Sequence, residues 1–306
     1  MPSHHPFIGI ALLILSTWAL SSLDAGGKWL MQFGLPLVIL TWVRYLVHVV
    51  LVLAFTFPTR GFSVFKSKRM SFQIFRGSLV LTATMTFFSA LSYLPQAEAT
   101  AINFLAPLLV LCLAPFFLKE PARLSRWIAA ICGFIGVIII VRPSSGLHPI
   151  GVMFGLMTAT IFSLQFMVTR KLAEDDSMTT LLWTGLVGTA LSSVLVFFSL
   201  EDLAHIVTTY DWLDWAVLAS TGVFGTLGHW LQIKAYQNAP ASLLAPFVYL
   251  QIVAATTFGW LIWKQFPDAL SWVGILVVCG SGVVASIVEW RHNQMTKRLL
   301  HKTLDL

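Results

Sequence analysis

Apolar residues run along this chain in ten blocks, each bounded by charge or by a Pro/Gly cluster. They are Phe7–Leu23, Leu35–Phe57, Ile74–Leu94, Thr100–Leu118, Trp127–Val141, Ile150–Val168, Thr180–Leu200, Trp212–Tyr236, Ala241–Trp263 and Leu270–Val288. Blocks of this length and apolarity predict membrane-crossing helices. The fifth is short for a bilayer, so it is expected to stand upright or to be partly covered by its neighbours. The expected fold is therefore an all-α membrane protein with ten transmembrane helices.

Composition removes the soluble alternative. Apolar residues make up 57% of the chain and charged residues 10%, with a mean hydropathy of +0.82. A soluble domain carries about 25% charged residues, and this sequence cannot supply the polar skin that a water-exposed surface needs. The net charge of +6 is no nucleic-acid signal, because Lys and Arg lie in short loops between apolar blocks. Cys112, Cys132 and Cys279 sit inside apolar blocks without metal-ligand or disulfide spacing and read as small core residues. The first apolar block has a counterpart in the second half of the chain, which argues against its being a signal peptide.

The basic residues also set an orientation. With the N-terminus in the cytoplasm, the inner loops hold Arg60, Lys66, Lys68, Arg69, Arg76, Lys119, Arg123, Arg126, Arg170, Lys171 and Lys234, and the tail adds Arg291, Lys297, Arg298 and Lys302. The outer loops hold Lys28, Arg142 and Lys264. Fifteen against three is the positive-inside asymmetry, and it places both termini in the cytoplasm.

The halves echo each other. Ile8-Gly9 matches Ile150-Gly151, Lys28 with Leu30 matches Arg170 with Leu172, and Ala97-Glu98-Ala99-Thr100 matches Ala239-Pro240-Ala241-Ser242, all at one offset. Lys119 and Trp127 match Lys264 and Trp272 at an offset three residues larger. Five blocks separate the matched pairs, and an odd number turns the second half over. The expectation is two inverted five-helix repeats, residues 1–145 and 146–290, followed by a basic cytoplasmic tail, 291–306. Inverted repeats are a common architecture for alternating-access carriers.

Several phrases resemble a known family. Pro95-Gln96-Ala97-Glu98-Ala99-Thr100-Ala101, then Pro107, then Lys119-Glu120, with Gly133 and Gly136 beyond, are similar to the EamA-type repeat of the drug/metabolite transporter superfamily. Arg44 and Arg76-Gly77 fit that pattern too, and the second half repeats it with Ala239 to Ser242 and Lys264-Gln265-Phe266-Pro267-Asp268. Gln265 departs from it, standing where the family usually has glutamate. Ala245 to Leu250 with Phe266-Pro267-Asp268 is similar to bacterial S-adenosylmethionine and riboflavin-type uptake carriers. The resemblance covers essentially the whole chain. It implies a secondary carrier in a bacterial inner membrane for a small amphipathic organic metabolite, with a cationic or nucleoside-like solute as one form of it. A membrane scaffold or sensor is the alternative.

Polar groups inside the apolar blocks are the candidates for binding and coupling. A charged side chain at mid-membrane costs about 2.5–3.5 kcal/mol on insertion scales, so Arg44 must face protein or water. It is read either as a substrate contact or as a structural pair with Asp24 or Glu98. Asp24, at the end of the first block, is a gate or cation site or a solvated helix end. His229 can couple a proton to transport or simply pack with a hydrogen bond; His48 is the weaker histidine, on a block taken to be peripheral. Asn103, Gln165, Gln232 and Tyr249 either face a shared cavity or bond between helices. Trp18, Tyr93, Trp230 and Tyr249 are aromatic residues on cavity-side helices, suited to planar or cationic solutes. No phosphate-binding loop and no nucleophile–base set is present, so the expectation is no enzyme and no cofactor. The expected partners are a small-molecule substrate, the bilayer and a coupling proton, with no nucleic acid. The protein is expected to be a monomer or a homodimer.

Overall fold

The computed structural model describes residues 6–118, 124–142, 146–172, 174–239 and 241–304. Lys119, Glu120, Arg123 and Pro240, and the side chains of Arg126, Lys297, Arg298 and Lys302, lie outside what is described. The helices in chain order are α1 Pro6–Gln32, α2 Leu37–Arg60, α3 Met70–Tyr93, α4 Gln96–Asn103, α5 Leu105–Leu118, α6 Leu124–Val141 and α7 Pro149–Lys171. They continue with α8 Ser177–Phe197, α9 Leu200–Thr209, α10 Trp212–Asn238, α11 Ala241–Val248, α12 Leu250–Trp263 and α13 Ala269–Leu304, and a 3-10 turn covers Gly61–Phe65.

Among the described residues, seven stretches are long and apolar enough to cross a membrane: Phe7–Gln32, Leu37–Phe65, Met70–Tyr93, Gln96–Leu113, Pro149–Lys171, Ser177–Phe197 and Ala269–Val288. Trp127–Val141 and Leu250–Trp263 are apolar but shorter. The surface has the character of a lipid-facing one, for Phe55, Phe116, Ile131, Val194 and Leu276 all project outward. The interior is built on Phe88, Leu91, Leu94, Ile102 and Leu218. In it α1 packs on α10, α3 on α7, α2 on α8 and α6 on α13, while α2 also meets α10 and α3 also meets α8.

The structure departs from the sequence expectation at several boundaries. The first block ends at Leu23, yet α1 continues to Gln32. Gly26 and Gly27 do not stop it, because the backbone ladder carries on through them and the missing side chain is used for close approach. A Cβ on Gly27 would lie 2.3 Å from the ring of Phe88. Asp24 and Lys28 are consequently inside a helix and buried, not at an outer loop. Arg76, assigned to a loop, lies within α3.

The fourth block is two helices, α4 and α5, meeting at Phe104. Pro107 lacks the N–H that the Asn103 carbonyl would accept, and its ring crowds that carbonyl. The ninth block divides likewise into α11 and α12 at Tyr249. The rings of Phe104 and Tyr249 pack on each other at 4.8 Å between centroids, so the two breaks meet. Finally, α9 is a short helix of its own with Glu201 and Asp202 in its first turn, where acidic side chains suit the helix dipole. Of the expected tail, 291–306, the residues up to Leu304 continue α13.

Candidate functional site

Along α2, Arg44, Tyr45 and His48 are buried on its packed side. They face α3 and α10. Arg44 Nη1 donates to Thr84 Oγ1 (3.0 Å), and the Tyr45 hydroxyl shares a 2.9 Å hydrogen bond with the same oxygen. The guanidinium also lies over the Tyr45 ring, 4.9 Å from its centroid. His48 engages both ring nitrogens, Nε2 with the Leu181 carbonyl (3.1 Å) and Nδ1 with Thr226 Oγ1 (3.0 Å). This close fit needs a glycine on α10: a Cβ at Gly222 would come within 2.8 Å of the Arg44 carbonyl oxygen. A chamber of 10 Å³ remains between Arg44, His48, Thr184, Gly225 and His229, room for about one water.

His229 is also a wall of a second, larger space. This cleft of 240 Å³ lies between α3, α7, α8 and α10 and is lined by Arg76, Thr169, Asp175, Thr180, His229 and Gln232. Arg76 Nε donates to Thr169 Oγ1 (2.8 Å) and its Nη1 donates to Thr184. With the Gln165 amide oriented so that donors meet acceptors, its oxygen accepts from Arg76 Nε (3.2 Å) and Nη2 (3.1 Å). Thr184 therefore touches Arg76 and faces Arg44 across the chamber. The result is a continuous polar path from the α7–α8 connection towards the middle of the bundle, with guanidinium groups at two depths.

At the rim, the α7–α8 connection is tied to the connection between α2 and α3. Asp175 accepts hydrogen bonds from the Ser67 hydroxyl, the Lys68 N–H (2.9 Å) and Gln73 Nε2 (3.0 Å). Burial tends to raise its pKa, but the bonds from Ser67, Lys68 and Gln73 and the Lys68 charge outweigh that and hold it below the usual carboxylate value. Arg60 pairs with Asp176, and Lys68 with Glu174 at 3.6 Å.

The opposite end carries a second buried polar group. Lys28 Nζ donates to the Leu94 carbonyl (2.6 Å) and to Gln265 Oε1 (3.3 Å) and stands over the Trp263 ring. Gln265, which lacks the family's charge, thus still serves as an acceptor. Glu98 lies close enough to feel the Lys28 charge, but its Oε2 has no hydrogen-bond partner among the described residues. Outside the bundle Arg142 pairs with Asp268, whose pKa is held down first by hydrogen bonds from Ser271 and then by Arg142.

The residues singled out in the sequence do not converge on one cavity. The structure brings Arg44, Gln165, His229 and Gln232 together along the cleft. Asp24 is buried on α1, within the field of Arg44 but bonded to nothing among the described residues. Asn103 and Tyr249 sit at the two helix breaks, where Asn103 Oδ1 is buried and has no partner among the described residues. The aromatic wall does not form. Trp18 is exposed and packs edge-on with Phe258, and Tyr93 is exposed and stacks on His148. Trp230 lines an outer groove with Phe55 and Lys234.

The sequence places α2 at the periphery, whereas His48 is buried and bonded between α8 and α10. Sequence reasoning also missed Tyr45, Arg76, Thr84 and Thr184. A usable signal was present: Arg44, Tyr45 and His48 fall within one helical turn of an otherwise apolar block, a costly placement unless that face is buried in protein.

An apolar helical bundle with arginine and histidine side chains lining a cleft and a chamber inside it fits a membrane transporter. The family match agrees with it: the profile of the EamA-like transporter family covers residues 7–142 and again 149–287, and the chain belongs to this family. It is a transporter of small metabolites. Among similar proteins, an uncharacterized transporter of Helicobacter pylori is 27% identical over 91% of this chain and 94% of its own length. An S-adenosylmethionine uptake transporter of Rickettsia bellii is 27% identical over 89% and 90%, and a riboflavin transporter of Vibrio cholerae is 24% identical over 94% and 95%. A crystal structure with 19% identity superposes with a TM-score of 0.60 over 94% of this chain and 99% of that one, which supports the fold.

Proposed function

We propose that the chain is a secondary carrier that moves a small amphipathic metabolite across a bacterial cell membrane by alternating access. The observation that carries this reading is the polar cleft, which begins at the α7–α8 connection and ends at Arg44 inside an apolar bundle. Its scaffold is read as ten crossings, with α4–α5 and α11–α12 each making one, in two inverted halves, 1–145 and 146–290. Helix pairing supports this: α1 on α10 corresponds to α7 on α3, α1 on α12 to α7 on α5, and α2–α8 and α6–α13 pair each half with the other. The two family matches begin 142 residues apart, at 7 and 149, the offset that relates Ile8-Gly9 to Ile150-Gly151. Breaks that meet in mid-bundle are also what carriers of this architecture use at their substrate sites.

The solutes named for the relatives, S-adenosylmethionine and riboflavin, are the first to test. Proteoliposomes holding the purified protein should accumulate or exchange at least one of them above empty vesicles, and failure with both, alongside failure in a wider metabolite screen, would remove the carrier reading. His229, at the junction of chamber and cleft, is the candidate for proton coupling, with Asp24 behind it. Uptake insensitive to pH and to a protonophore would exclude that coupling while leaving transport intact.

A further inference from the structure

The charge along the cleft is out of balance. Arg44 donates to a threonine and lies on a tyrosine ring, and Arg76 donates to two threonines and a glutamine. Among the described residues neither guanidinium has a carboxylate within ion-pair distance. Two carboxylates are near. Asp24 acts on Arg44 through space without touching it, and Asp175, on the rim, is committed to Ser67, Lys68 and Gln73. The histidines between the two arginines, His48 and His229, add no negative charge. Buried cations that lack a protein counter-charge are costly, and in a membrane protein they mark the path of a solute. Neutral hydroxyl and amide partners fix the direction of each guanidinium while leaving its charge uncompensated. A guanidinium held in this way offers paired donors to an anionic oxygen group.

We propose that the solute carries an anionic group, a carboxylate or a phosphate, which binds between Arg76 in the cleft and Arg44 in the chamber, passing Thr184 and His229. The 240 Å³ cleft admits the rest of a small metabolite, while the inner chamber, at 10 Å³, admits an anionic oxygen only as Arg44 shifts. Arg76 is thus the first contact and Arg44 the deeper one. This assignment rests on the carrier reading and reverses the cationic preference that the aromatic residues suggested.

Matched pairs of solutes test it on the purified full-length protein in detergent. Binding is measured for adenosine, adenosine 5′-carboxylate and adenosine 5′-phosphate, and for riboflavin against riboflavin 5′-phosphate. At least one anionic member should bind about tenfold more tightly than its neutral parent, and the carboxylate and phosphate arms say which anion is taken. Arg44→Gln and Arg76→Gln should each remove that preference, so that the anionic member and its neutral parent bind alike. Arg44→Lys and Arg76→Lys should keep part of it, so that loss in a misfolded glutamine variant is not mistaken for loss of the site. Equal or weaker binding of every anionic member, or a preference that survives both glutamine variants, overturns the inference. Transport of neutral riboflavin without anion preference would leave the carrier reading standing and this inference refuted. Anion-selective binding without transport of any solute would do the reverse.

Discussion

Among single residues, the environment of a polar side chain matters more than its type. His48 was set aside in the sequence because α2 was taken to be peripheral, yet it is buried against α8 and α10 and shares a chamber with Arg44 and His229. Asn103 lies at a helix break and touches no part of that chamber. His48→Ala should therefore lower transport at least as far as Asn103→Ala, at matched membrane expression. Loss confined to Asn103 would move the site to the breaks. Asp175 carries a pH dependence with a definite sign. Its carboxyl is held below its unfolded value of 3.8, so its stabilising contribution is complete above that value and is lost as pH falls through the lower folded value. Asp175→Asn should lower the melting temperature in detergent at neutral pH, with the difference from the parent protein shrinking as the pH falls below about 4. A difference that grows on acidification would refute the bonding described for this carboxylate.

At the level of elements, the paired breaks are the feature that regular helices would not provide. The break at Tyr249 is packed against α13, for a Cβ on Gly282 would collide with the Tyr249 hydroxyl oxygen and ring. Gly282→Ala must displace that ring and with it the Phe104 ring that it packs on. Overpacking of this kind costs about 1–3 kcal/mol. Gly282→Ala should therefore lower thermal stability, and adding Tyr249→Phe, which removes the colliding oxygen, should recover part of the loss. An unchanged melting temperature in Gly282→Ala would mean that the break is not packed as described.

Over the whole molecule, the proposed ten-crossing scaffold and the basic asymmetry of the sequence predict both ends of the chain on one side of the membrane. Single cysteines introduced near residue 3 and near residue 300, in a protein whose Cys112, Cys132 and Cys279 have been replaced, should both resist a membrane-impermeant maleimide added to intact cells and both react after lysis. Labelling of one end from outside would require an odd number of crossings and would undo the inverted-repeat scaffold. The predicted asymmetry does not hang on Lys28 or Arg76, for setting both aside leaves fourteen basic residues against two.

The membrane class, the helical fold and most helix positions were legible in the sequence, because they depend on local apolarity and length. Lipid accepts only backbones that satisfy their own hydrogen bonds, so a long apolar block has one structural outcome. The offset between Ile8-Gly9 and Ile150-Gly151 was legible for a similar reason: a repeat is a property of order along the chain. Tertiary structure decided the rest. Asp24 and Lys28 read as a helix end because charge and a Gly-Gly pair normally end an apolar block, and only the packing of Gly27 on Phe88 shows that the helix continues. Arg44 and Arg76 stand 32 positions apart on different helices, and no local pattern says that Thr184 of α8 comes between them. Whether a polar side chain inside an apolar block meets lipid, another helix or a water-filled cleft depends on which faces pack together. That is a long-range choice, made by close approach at residues such as Gly222 and by shared hydrogen bonds such as those at Thr84.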